Sequence, residues 1–187
     1  MDERIPADHI RIEKMSSAYN EIIKSFKSYE QELVDFLLED ALDNQSKHIS
    51  VTYLWFLKPE NKLIGYITLL TDKISLSPSL KTEFNEKGIL YKSLPAIKIG
   101  RLCVDDNFIG RGVGKLMMQF TIFHIQEISK RCGCRFITVD AKRNSEKDKD
   151  SMHFYKRMGF DILRKREKGT TAMYKDIFKI IEETNIL

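Results

Sequence analysis

Apolar positions along this chain follow two rhythms, one of period two and one of about 3.6 residues, which mark strands and helices respectively. Weak alternation from His9 to Met15 predicts a first strand. Ser28 and Gln31 then make an S-x-x-Q capping box ahead of a helical stretch from about Tyr29 to Lys47. Within it Leu33, Phe36, Leu37 and Ala41 recur at i, i+3, i+4 and i+8 and form one core-facing stripe. Val51 to Leu57 (VTYLWFL) is rich in β-branched and aromatic residues, breaks at Lys58-Pro59-Glu60-Asn61-Lys62 and resumes from Leu63 to Ile74, which predicts an antiparallel hairpin.

A polar stretch from Ser75 to Ser93 reads as a loop with a short helix, and Ala96 to Val104 returns to strand character. Val113 to Arg131 is helical and apolar over much of its circumference, with Leu116, Met117, Phe120, Phe123 and Ile128 as expected core positions. Phe136 to Val139 predicts a buried strand, Asp148 to Met158 a helix, and Phe160 to Leu163 and Thr170 to Tyr174 two more strands. The order is mixed α/β, with no repeat and no linker, and predicts a single domain over residues 1–187.

Composition narrows the class. A chain of 187 residues that is 42% apolar can bury a full core without metals or disulfides. Its charges are interspersed, and the formal net charge of +4 implies solubility with a mild preference for anionic partners. Cys103, Cys132 and Cys134 are an odd number behind a polar opening, MDERIPADHI, unlike a signal peptide, so a reducing, cytoplasmic compartment is expected. Neither the C-x-C pair nor the four histidines have metal-ligand spacing, and no apolar run reaches the roughly 18 residues of a membrane span, so no metal and no membrane partner are expected.

The richest chemistry lies where a predicted strand runs into the long helix, through Gly110-Arg111-Gly112-Val113-Gly114-Lys115. Glycines let a backbone take positive φ and come close to a bulky anion, the helix start adds partial positive charge, and Arg111 and Lys115 add whole charges. These features make the turn a candidate pyrophosphate cradle, the alternative being a glycine-rich turn used only for chain reversal. A Walker A loop would need Gly at 109 and Ser or Thr at 116, where Ile109 and Leu116 stand. A dinucleotide fingerprint fails at Lys115 and belongs in a first βα unit rather than behind an antiparallel hairpin.

The same turn resembles the cofactor motif of the GNAT acetyltransferases, Gln/Arg-x-x-Gly-x-Gly/Ala, with Gly112-Val113-Gly114 as its glycine half and Ile109 in place of the first polar residue. His153-Phe154-Tyr155-Lys156-Arg157-Met158-Gly159-Phe160 resembles the family's F-Y-x-x-x-G-F signature, and Lys62 to Thr68 its second-to-third strand hairpin. The resemblance spans roughly Leu33 to Lys175. It implies a mixed, mostly antiparallel central sheet with helices on both faces, and acetyl-CoA as acetyl donor. The cofactor would be held by Gly110 to Lys115 and by the backbone of Leu102, Cys103 and Val104. Tyr155 matches the tyrosine that donates a proton to the departing thiolate. The family's asparagine seven residues earlier falls on Asp148, with Asn144 as a substitute, and its small residue four earlier on Ser151.

No side chain declares itself as general base; Asp140, Glu127 and His124 are the candidates, each better suited to a structural or solvated role. Cys103 as a nucleophile has no activating neighbour in sequence, and strand packing suits it better.

The implied reaction is acetyl transfer to a primary amine. Within the superfamily the block Leu94 to Asp105, the stretch Leu33 to Trp55 and the closing Thr170 to Tyr174 resemble the group that includes GNAT toxins, which acetylate the α-amine of aminoacyl-tRNA. That reading implies an antitoxin partner and makes the basic run Arg164-Lys165-Arg166-Glu167-Lys168 an RNA-contact candidate. Small-molecule amines, protein N-termini and lysines stay open, as does a non-catalytic acyl-CoA-binding module. Ile177, Phe178, Ile180 and Ile181 suit either a homodimer contact or an intramolecular helix face.

Overall fold

The computed structural model describes residues 3–142, 151–164 and 169–179. Among the described residues seven strands form one sheet: β1 (Ile10–Lys14), β2 (Val51–Leu57), β3 (Lys62–Ser75), β4 (Ser93–Val104), β5 (Phe136–Lys142), β6 (Asp161–Arg164) and β7 (Thr170–Asp176), in the order β1-β2-β3-β4-β5-β7-β6. The helices are α1 (Asn20–Ile23), α2 (Gln31–Asp35), α3 (Ala41–Ser46), α4 (Pro78–Glu86), α5 (Val113–Ser129) and α6 (Ser151–Arg157). No helix among the described residues is long and apolar enough to cross a membrane.

Most pairings are antiparallel: β1 with β2, β2 with β3, β5 with β7 and β6 with β7. Asp105 N–H donates to Ile64 O at 2.9 Å and Leu76 N–H to Lys92 O at 3.1 Å, so partners on β3 and β4 run in opposite senses as well. Arg135 N–H donates to Pro95 O at 3.1 Å and Lys98 Nζ pairs with Asp140 at 2.6 Å; both partners advance together, which makes β4 and β5 parallel.

The chain falls into two compact units, residues 1–70 with 99–120, and residues 71–98 with 121–187. In the first, the period of two decides the core. Leu54 and Phe56 of β2 join Leu63, Tyr66 and Cys103 in a cluster with Ile23, Phe26, Val34 and Leu37 of the helical region. Trp55, between them in sequence, packs on the other face with Ile64, Val113 and Met117. Helices therefore cover both faces of this part of the sheet. Tyr66 is fully buried, and its hydroxyl is satisfied by Leu33 O at 2.7 Å.

The helical stretch after Tyr29 departs from expectation at its start and its middle. Ser28 Oγ accepts from Glu30 N–H at 3.2 Å, and Gln31 Nε2 donates to Asp35 at 2.8 Å, so the reciprocal capping box does not form. Phe36–Asp40 is a π-helical turn linking α2 to α3. In the second unit α4 is capped by Ser77, whose Oγ accepts from Leu80 N–H at 3.4 Å, and its Leu80 and Phe84 pack on Ile74, Ala96 and Phe136. Phe123, expected in the core, is 63% exposed; the buried positions of α5 include Met117, Met118, Thr121 and Ile125. Ile177 is buried within its own chain, as an intramolecular packing position would be; Ile180 and Ile181 lie outside the described residues.

Candidate active site

The exit from β4 is pinned before the glycines begin. Asp105 is 1% exposed; its Oδ2 accepts from Lys27 N–H at 2.9 Å, and its Oδ1 from Asn107 N–H at 3.0 Å and Asn107 Nδ2 at 2.8 Å. Asp106 N–H returns a bond to Lys27 O at 3.0 Å. Phe108 is buried beside Val113 and Met117, which anchors the turn from below.

Gly110 and Gly112 have φ of 82° and 88°, a conformation other L-residues adopt at a cost of about 1–2 kcal/mol. A Cβ on Gly110 would meet nothing within 4 Å, so the backbone conformation, rather than crowding, calls for glycine there and the surface above is open. Leu116 N–H donates to Gly112 O at 3.2 Å, the first bond of α5. The N–H groups of Val113, Gly114 and Lys115 are then left without intrahelical acceptors. Open glycine surface, helical N–H groups with no backbone acceptor among the described residues, and the exposed cation of Lys115 fit an anionic phosphate group. Ile109, in place of the motif's polar residue, is 52% exposed and contributes no donor. Arg111 is already engaged: its Nε donates to Glu3 O at 3.2 Å, and its guanidinium carbon stands 5.2 Å from the centroid of the Phe108 ring.

On β4, Leu102 and Val104 pack partly buried against the cluster of Trp55, Val113 and Met117, while Cys103 faces the opposite cluster. Burial, reinforced by Asp106, Asp105 and Glu30, pushes the Cys103 thiol up to about 12, with Ser28 partly offsetting the rise. A thiol so placed is a packing group at neutral pH, and the nucleophile reading falls away.

Tyr155 lies in the second unit, on α6, and is 5% exposed. The local sequence explains its setting. Gly159, with φ of 79°, ends the helix in a left-handed turn, and Phe160 N–H reaches back to Tyr155 O at 3.0 Å. That bond brings the Phe160 ring to 5.3 Å from Tyr155 at 62°, while Phe154 stands 5.2 Å away on an edge. Burial raises the phenol above its ordinary value, so it stays protonated at neutral pH. Ser151, at the small-residue position, donates from Oγ to Lys142 O at 2.9 Å. Asp148, Asn144 and Lys165 to Lys168 lie outside the described residues.

Two of the three base candidates are committed elsewhere. Asp140 is ion-paired with Lys98 at 2.6 Å and Glu127 with Lys130 at 2.6 Å. His124 is partly buried on α5, which lowers its pKa. Among the described residues no three of His, Cys, Asp and Glu are grouped to hold a metal ion.

Sequence reasoning missed the segment Glu3 to Ile5. Ile5 is buried in the cluster around Val113, and its N–H donates to Arg111 O at 3.1 Å. A lone isoleucine in a polar run was its only signal.

Residues 50–162 match the family model described as Acetyltransferase (GNAT) domain. Among solved structures, a tyrosine-to-phenylalanine variant of KacT is similar at 25% identity, TM-score 0.76, over 94% of this chain and 99% of that one. AtaT complexed with acetyl-methionyl-tRNAfMet is similar at 24% identity, TM-score 0.75, over 94% and 99%. AtaTR bound with AcCoA is similar at 24% identity, TM-score 0.73, over 95% and 99%. The chain belongs to the GNAT acetyltransferase family and is an acetyl-CoA-dependent N-acetyltransferase.

Proposed function

We propose that Gly110 to Lys115 hold the pyrophosphate of acetyl-CoA, that the backbone of Leu102 to Val104 binds its pantetheine arm, and that Tyr155 is the acid of the reaction. The observation that carries the first assignment is the pair of left-handed glycines leading into the first-turn N–H groups of α5. The amine nitrogen attacks the thioester carbon, the C–S bond breaks as the thiolate takes the proton of the Tyr155 hydroxyl, the amine gives up its proton to water, and the Tyr155 phenolate regains a proton from solvent. The matched stretch 50–162 includes residues of both units, which supports reading 1–187 as one GNAT domain.

For the acceptor we propose the α-amine of an aminoacyl-tRNA. Such an amine has a pKa of about 8 and is appreciably neutral at pH 7, so it needs little help from a base, in keeping with the ion-paired Asp140 and Glu127. Charge distribution agrees. The second unit's residue ranges hold 20 Lys and Arg against 13 Asp and Glu, a formal +7, whereas the first unit's hold 11 against 14, a formal −3. The whole-chain value of +4 hides this concentration, which suits a polyanionic acceptor. The full-length likeness to AtaT, solved with acetyl-methionyl-tRNAfMet, supports the same reading, and AtaT's structure as a toxin bound to the antitoxin AtaR makes an antitoxin partner the corollary.

The test offers the purified chain acetyl-labelled CoA with charged total tRNA, or with a panel of polyamines, amino acids, aminoglycosides and peptides. Label on charged tRNA supports the proposal; label confined to small amines or peptides replaces it with a metabolic or protein-modifying role.

A further inference from the structure

The family places a polar side chain at the first position of its cofactor motif, and here that position is Ile109. The nearest basic residue in sequence, Arg111, is held by Glu3 O and the Phe108 ring. The same contact, together with the bond from Ile5 N–H to Arg111 O at 3.1 Å, straps residues 3–5 onto the turn. Arg4 sits between the two anchor points. Its Cγ stands 4.0 Å from where a Cβ on Gly112 would be, so its side chain passes over the left-handed glycine. Yet Arg4 is exposed, and no described residue engages its guanidinium in a hydrogen bond or ion pair.

We infer that Arg4 is a binding residue for the pyrophosphate of acetyl-CoA, supplying from the N-terminal segment the side-chain charge that Ile109 does not. The inference rests on the cofactor assignment of the turn proposed above. Its physical logic is a division of labour between two arginines. Arg111 fastens the segment to the turn, and the fastening holds the stem of Arg4 beside Gly112 without occupying its five donors. A guanidinium offers a planar fork to phosphate oxygens, and pre-positioning its stem lowers the entropy lost on binding.

The experiment is calorimetric binding of CoA and of 3′-dephospho-CoA to the wild-type chain, Arg4→Ala and Arg4→Lys, with thermal melts as a check on folding. Both ligands carry the pyrophosphate. Arg4→Ala should weaken both by about five- to tenfold, in the range of one exposed, charge-assisted contact, with Arg4→Lys recovering part of the loss. The loss should shrink as salt is raised, and KM for acetyl-CoA should rise with kcat unchanged. Equal binding by wild type and Arg4→Ala would overturn the inference, as would a loss seen with CoA alone, which would place Arg4 on the 3′-phosphate. A wild-type chain that binds neither ligand would instead overturn the cofactor assignment beneath it.

Discussion

The carbonyl oxygen of Cys103 lies so close to Gly65 that a Cβ added there would stand 2.8 Å away. This approach, on the strand pair β3 and β4, involves the strand proposed to bind the pantetheine arm. Met117 Cε, which that Cβ would also meet, is the end of a flexible side chain and can yield; the Cys103 carbonyl is backbone and cannot do so cheaply. Gly65→Ala is expected to cost about 1–3 kcal/mol, measured as a shift in denaturation midpoint. Gly100→Ala meets Leu70 Cδ2 at 2.8 Å, again a flexible end, and should cost less. Equal costs at the two positions would contradict this reading.

Asp105→Ala removes three acceptor contacts from a residue that is 1% exposed and leaves the N–H groups of Lys27 and Asn107 unpaired. A loss of about 2–4 kcal/mol is expected, and Asp105→Asn, which keeps one acceptor oxygen, should fall between it and wild type in chemical denaturation.

The cysteines should separate by reactivity. Burial pushes Cys103 up to about 12 and Cys134 up to about 11, while Cys132 is exposed. Alkylation of the native chain at pH 8, followed by peptide mass analysis, should label Cys132 and spare the other two until denaturant is added. Rapid labelling of Cys103 would reopen its candidacy as a nucleophile.

Tyr155→Phe should retain acetyl-CoA affinity and lower kcat at least about tenfold. The pH profile separates the partners. Because burial raises the phenol above its ordinary value of 10.0, Tyr155 remains protonated and adds no falling limb below about pH 10. The rate should rise with pH as the acceptor amine loses its proton, with the same shape in the variant at a lower level. An unchanged kcat would remove Tyr155 from the chemistry.

Local pattern carried the hairpin, the glycine turn and the F-Y-x-x-x-G-F helix end, because each is written in contiguous residues. Val51 to Leu57 could face two ways only, and Gly159 with Phe160 encodes its own helix stop. What stayed hidden depends on distant partners. The face of α5 could not be chosen from a helix apolar nearly all round, so Phe123 was assigned to a core that holds Met118 and Thr121 instead. The strand expected from Ala96 begins at Ser93 instead, and the Pro95 carbonyl takes a bond from Arg135. The strap of residues 3–5 over Arg111 joins positions more than a hundred residues apart and leaves no local trace.

Acetylation of an aminoacyl-tRNA is tested most directly by supplying acetyl-labelled CoA with aminoacyl-tRNA or the same tRNA deacylated, then hydrolysing the ester and identifying the labelled product. Label is expected only with charged tRNA, recovered as the N-acetyl amino acid and strongly reduced with Tyr155→Phe. Label on deacylated tRNA, or none on charged tRNA from a chain that acetylates small amines, would contradict it.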